Sequence, residues 1–147
     1  MIKNPITQLE QLTLTSASKN FLKETAKWSL FLSVLGFIMI GLMLLLAFFS
    51  ITIIGIIAQK QPGVPANMGI VMTIMYLVLA VIYFFPVYYL LQFSNKMKKA
   101  ISTKNDETLA KAFEMLKSHY KFIGVFTIIT MSLYLLLIIA SLMGVLV

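Results

Sequence analysis

The sequence predicts an all-α integral membrane three-helix bundle with amphipathic cytoplasmic helices, and three observations carry that reading. Lys27 and Lys60 enclose 32 uncharged residues, a second apolar run goes from Met68 to Gln92, and a third, Phe122 to Val147, has 26 residues without a charge. Each is longer than the roughly 20 apolar residues that cross a bilayer core. The composition agrees. The chain is 60% hydrophobic and 12% charged, with a mean hydropathy of +0.94, whereas soluble domains carry roughly a quarter charged residues.

Residues 1–26 read as a cytoplasmic amphipathic segment. Asn4 followed by Pro5 has the form of an N-cap with proline at the first helical position. A Ser/Thr cluster from Thr13 to Ser18 breaks the pattern, and from about Ala17 it is helical again. No apolar stretch in this segment has the form of a signal-peptide core, so the first span is expected to be an uncleaved anchor. That span, 27–58, is long: Trp28 to Ala58 would rise about 46 Å and must tilt or project.

Residues 59–67, with Pro62, Gly63 and Pro65, are the one clear breaker cluster and make an outer turn. The second span, 68–94, contains Pro86, which removes a helical hydrogen bond and favours a kink. Residues 95–120 form a basic connection. Asn105 is placed to cap a helix whose first turn holds Asp106 and Glu107, favourable against the helix dipole. Leu109, Ala112, Phe113, Leu116 and Tyr120 then share one apolar face, of which Leu109, Phe113, Leu116 and Tyr120 are a candidate partner surface. Its candidate covers are the N-terminal helix with Phe21, the membrane interface and a partner. The third span, 121–147, follows with no breaker.

Orientation comes from lysine. Eleven of the twelve lysines lie before the first span or between the second and third, and only Lys60 lies in the other connection. Lysine excess marks the cytoplasmic side, so the N-terminus is expected inside and the C-terminus outside. Aromatic residues agree, because Trp28, Phe31, Phe84, Phe85, Tyr88, Tyr89, Phe93, Tyr120, Phe122 and Phe126 all cluster at the lysine-rich ends of the spans. Such residues form interfacial belts.

Three stretches have a familiar form: L-K-E-T-A-K-W at 22–28, F-F-P-V-Y-Y-L-L-Q-F-S at 84–94 and A-F-E-M-L-K-S-H-Y-K-F-I-G at 112–124. With them the chain resembles an uncharacterised family of small bacterial multi-span membrane proteins, a domain of unknown function. The resemblance covers residues 14–147. It implies a multi-span protein of the bacterial inner (plasma) membrane, and it brings no activity, cofactor or catalytic residue.

The residues argue against most chemistry. There is no cysteine, no arginine and one histidine. Thiolate sites, disulfides and bidentate guanidinium clamps are therefore excluded. No acid or base lies within a span, where ionisable groups usually mark ion or proton pathways. His119 lacks ligand partners at helical spacing and reads as an interfacial side chain. No catalytic, cofactor or metal site is expected, and the net charge of +7 is assigned to topology rather than to nucleic acid.

What remains is interaction surface. Ser29, Ser33 and Gly36 form a small-residue stripe, and Ala140 and Gly144 a small-xxx-small pair, both suited to close helix approach. Lys96, Lys98, Lys99 and Lys104 follow the second span closely and suit anionic lipid head groups. The sequence therefore predicts a non-catalytic accessory or scaffold protein that meets another membrane protein, or itself as a homo-oligomer, through helix contacts. The alternative is an oligomeric channel or carrier for a small neutral or apolar solute.

Overall fold

Long apolar stretches without breakers leave the backbone one way to satisfy its polar groups in hydrocarbon, the continuous helix. The computed structural model describes residues 14–61, 63–65 and 67–144. It contains helices α1 (Ser16–Lys60), α2 (Met68–Thr103) and α3 (Asp106–Leu142). All three are long and apolar enough to cross a membrane. The expected cap at Asn4, and residues 1–13 generally, lie outside the described residues, as does Pro62.

The helix ends follow local chemistry. Thr15 caps α1, its Oγ1 accepting from the Ser18 N–H at 3.2 Å. α2 runs through Pro86 without interruption and ends where Lys104 takes a left-handed conformation, φ 52°. The Asn105 N–H then donates back to the Ala100 carbonyl at 3.2 Å, as in a C-terminal helix cap. Asn105 caps α3, its Oδ1 accepting from the Thr108 N–H at 2.7 Å. Asp106 and Glu107 occupy the first turn of α3. The span α2 thus projects well past its apolar run, and the connection to α3 is a tight turn at Lys104–Asn105.

The bundle is open. α2 is the middle element, with α1 and α3 each packed along it. Both pairs are antiparallel. In the first, Ser94 meets Ala26 near one end and Thr73 meets Ser50 near the other. In the second, Pro86 meets His119 and Phe85 stacks on Phe122.

The buried face of α1 is a narrow seam of Ala26, Ser29, Ser33, Ile40, Ala47 and Ser50, with Gly36 in the same register. This alternation of three and four residues is the heptad spacing of left-handed helix pairs. Its side chains are small, so the backbones approach closely, and contact and hydrogen bonding replace the hydrophobic effect that lipid abolishes. A Cβ on Gly36 would stand 2.6 Å from a Val87 methyl, and one on Gly69 would stand 3.0 Å from the Ile51 Cα.

The only cluster with sizeable buried side chains among the described residues sits at the α2–α3 turn end. Ala26, Phe93, Met97 and Ala112 are fully buried there, with Leu22, Ile101, Leu109, Met115 and Leu116 packed around them. This joins the start of α1, the end of α2 and the start of α3.

Candidate functional site: the lysine-rich end and the faces of α3

The antiparallel arrangement gathers the start of α1, the end of α2 and the start of α3 at one end of the molecule. Every described lysine except Lys60 therefore lies at that end, on helical segments that project beyond the apolar runs or, for Lys104, in the turn that joins two of them. Lys99 and Lys104 are exposed, and Lys96 and Lys98 are half-buried. The one ion pair among the described residues joins Lys111 Nζ to Glu107 Oε1 at 2.6 Å, one helical turn apart. The Lys111 hydrogen bond, and then its charge, hold the Glu107 carboxyl below its ordinary range. The same hydrogen bond and charge raise the Lys111 ammonium. The other lysines at this end make no ion pair with a described residue, so they leave a net positive rim.

Two polar devices tie the helices together. The Ser94 Oγ donates to the Ala26 carbonyl at 2.6 Å, and both residues are fully buried. At the opposite end the Ser50 and Thr73 hydroxyls meet at 2.6 Å, and the backbone carbonyls of Ala47 and Gly69 lie within reach of both. Gly69 makes this possible, because its missing side chain lets α2 touch the α1 backbone.

His119 is not simply a solvated side chain. Its Nδ1 lies 2.8 Å from the Pro86 carbonyl oxygen. A carbonyl only accepts, so Nδ1 carries the proton and donates. The single histidine of the chain is thereby docked on the proline of α2. Among the described residues, no three His, Cys, Asp or Glu side chains are grouped to hold a metal.

The sequence-derived surfaces divide. Ser29 and Ser33 are buried and Gly36 faces Val87, all on the α1–α2 seam. The Ala140–Gly144 pair is corrected: Gly144 lies past the end of α3 at φ +69°, with open space where a Cβ would stand. Its role there is conformational, since the positive φ suits glycine at a helix end.

The α3 face is partly covered and partly open. Leu109 and Leu116 pack on the Phe93 cluster, but Phe113 and Tyr120 are 44% and 66% exposed. Ala112, on the same face, is fully buried, and Met115, His119 and Phe122 are half-buried beside it. Phe21, offered as a cover for that face, is itself 70% exposed, and Leu22 and Ala26 pack instead. Phe93, placed among the interfacial aromatics by its position, is fully buried.

Two of the exposed surfaces involve α3. Along α2 and α3 runs an open groove of about 490 Å³, with Tyr89, Ser118 and Lys121 toward the turn end and Phe122, Val125, Phe126 and Ile129 beyond. Further along α3, residues 131–139 are all exposed. No protein family, curated protein or solved structure matches the chain.

Proposed function

We propose that this protein is a non-catalytic accessory or scaffold protein of a bacterial inner membrane, with its lysine-rich end in the cytoplasm, and that it works by binding another membrane protein along α3. Tyr134 carries this reading. It lies midway along the third apolar run and is 65% exposed, and its hydroxyl has no hydrogen-bond partner among the described residues. Thr130 and Ser132 satisfy their hydroxyls on the carbonyls of Phe126 and Ile128 in their own helix. A tyrosine hydroxyl sits too far from its own backbone to do the same. An unpaired hydroxyl in hydrocarbon is costly, and an approaching helix relieves it. Thr127 and Ser141, seven residues to either side, are exposed on the same face and extend the polar stripe at heptad spacing.

The eleven-to-one lysine distribution supports the orientation, and the resemblance of residues 14–147 to small bacterial membrane proteins supports the membrane type. The test is purification of the tagged chain in mild detergent with quantitative mass spectrometry. A membrane protein at fixed stoichiometry is expected. Tyr134→Phe, which removes only the hydroxyl, should weaken that association about three- to tenfold, the range of one interhelical hydrogen bond. If nothing co-purifies, or if Tyr134→Phe retains the partner fully, this reading fails. The same stripe favours one second reading. In a homo-oligomer it would line a path for a small neutral solute, and uptake of such a solute into liposomes containing the pure protein distinguishes the two.

A further inference from the structure

We propose that the groove between α2 and α3 is a binding site for one anionic phospholipid. The proposal rests on the bilayer-spanning reading of the helices but not on the scaffold role.

The chemistry of the groove changes along its length. Tyr89 and Ser118 share one level, because α2 and α3 run antiparallel with Pro86 beside His119 and Phe85 beside Phe122. Lys121 follows Ser118 by about one turn, its side chain leaning back toward that level as helical side chains do. Lys121 is the last charge before the third apolar run. It is exposed and in no ion pair with a described residue, so its ammonium is available to an anion. The Tyr89 hydroxyl is likewise paired with no described residue and can donate. The Ser118 hydroxyl donates to the Glu114 carbonyl at 2.9 Å, which leaves its oxygen as an acceptor. Two donors and an acceptor at one level suit a phosphate diester with a hydroxylated head group.

Beyond that level the lining is wholly apolar: Phe122, Val125, Phe126 and Ile129. From Ser118 to Ile129 a helix rises about 16 Å, roughly half of a ~30 Å hydrocarbon core. The groove is therefore one leaflet deep, with its polar end at the head-group level and its apolar end near the midplane. Lys117 precedes Lys121 by one turn and Lys96 follows Tyr89 by two. Helical periodicity puts both on the groove's side of their helices, further toward the turn. The positive field is thus strongest where the phosphate would sit. Charge at one end, hydrocarbon at the other and a depth of one leaflet together select a phospholipid over a helix, which would need an apolar groove along the whole span.

Native mass spectrometry of the full chain, delipidated in detergent and offered palmitoyl-oleoyl phosphatidylglycerol or the matched phosphatidylcholine, tests this. One phosphatidylglycerol should be retained, at least about fivefold over phosphatidylcholine, the increment of one lysine near an anionic head group. Lys121→Gln should remove that preference. Val125→Trp, at a half-exposed position, should fill the groove and lose both lipids while circular dichroism shows the helices intact. Lys98→Gln should behave as wild type, since Lys98 lies on the side of α2 opposite Tyr89 by helical geometry. Equal retention of the two lipids by the wild type overturns the proposal. So does a loss with Lys98→Gln as large as that with Lys121→Gln, which would assign the preference to the basic end as a whole. Should Val125→Trp fail to fold, the comparison of Lys121→Gln with Lys98→Gln decides alone.

Discussion

Single atoms decide how closely the first two helices meet. A Cβ at Gly69 would stand 3.0 Å from the Ile51 Cα and 3.4 Å from the Ser50 carbonyl oxygen, so backbone rather than a flexible side chain resists it. Gly41, in the same span as Gly36, has open space. Gly69→Ala should therefore destabilise by about 1–3 kcal/mol, the usual range for overpacking. Gly41→Ala should be neutral or stabilise by up to about 1 kcal/mol through helix propensity. Thermal unfolding in one detergent, followed by circular dichroism, reads both, and equal midpoints for the two variants would refute the contact. Gly36→Ala belongs between them, because a Val87 methyl, which can shift, is what it meets. Such differences cannot be read from glycine spacing alone. Gly36, Gly41 and Gly69 all sit in uncharged stretches, and only the partner helix separates them.

At the scale of the element, α3 divides one periodic face between cover and exposure. Leu109, Ala112, Phe113, Leu116 and Tyr120 recur at helical spacing. Ala112 is fully buried, while Phe113 and Tyr120 are exposed. Ala112→Leu is expected to cost about 1–3 kcal/mol by overpacking. Phe113→Glu should leave the melting temperature of the isolated protein close to wild type, since that side chain is already 44% exposed. The reverse order would place Phe113 in the core.

The first turn of α3 gives a pH test. Glu107 is held below its ordinary value of 4.5 by Lys111. A depressed carboxylate contributes stability that is present above the unfolded value and is lost as pH falls through the folded one. Lys111, raised above its ordinary 10.5, contributes stability present below that value and lost as pH rises through the folded one. Between these limits the pair contributes steadily. Amide exchange in the first turns of α3 should quicken as pH falls below 4.5, after correction for intrinsic rates, and Glu107→Gln should remove that dependence. An unchanged acid-side profile in Glu107→Gln would show that the pair does not hold this turn. Both side chains are largely exposed, so salt should weaken the pair.

At the scale of the molecule, the bundle is fastened at its two ends and joined between them by contacts of small residues. At one end Phe93 and Met97 knit the three helices. At the other the Ser50–Thr73 pair clasps α1 to α2. From Met131 to Ile139 every residue of α3 is exposed and Ala140 is half-covered, so the outer half of that helix is open to lipid or to another protein. The proposed orientation makes a direct prediction. The chain has no cysteine, so single cysteines report without background. In intact cells, Gly63→Cys should label with an impermeant maleimide and Asn105→Cys should not. The opposite pattern would invert the topology, and with it the leaflet of the proposed lipid site.

The sequence by itself determined three helices, a breaker between the first two (read at residues 59–67, with the first helix running on to Lys60), the cap at Asn105, and the collection of lysines at one end. These are local properties: apolar run length, breakers, side-chain capping and charge count act within a few residues and need no partner. It also marked Ser29, Ser33 and Gly36 as a close-packing stripe, because small residues at heptad spacing have few other uses in a span. Only the tertiary structure decided that α2 is central, that Gly69 and Ser94 are points of close approach to α1, and that Ala112 is fully buried. It also decided that His119 docks on Pro86. Those outcomes depend on which faces meet, and in hydrocarbon the largest apolar side chains no longer say so: lipid covers them as well as protein does. What selects the buried face there is backbone approach and hydrogen bonding, and both are properties of a pair of helices rather than of either one.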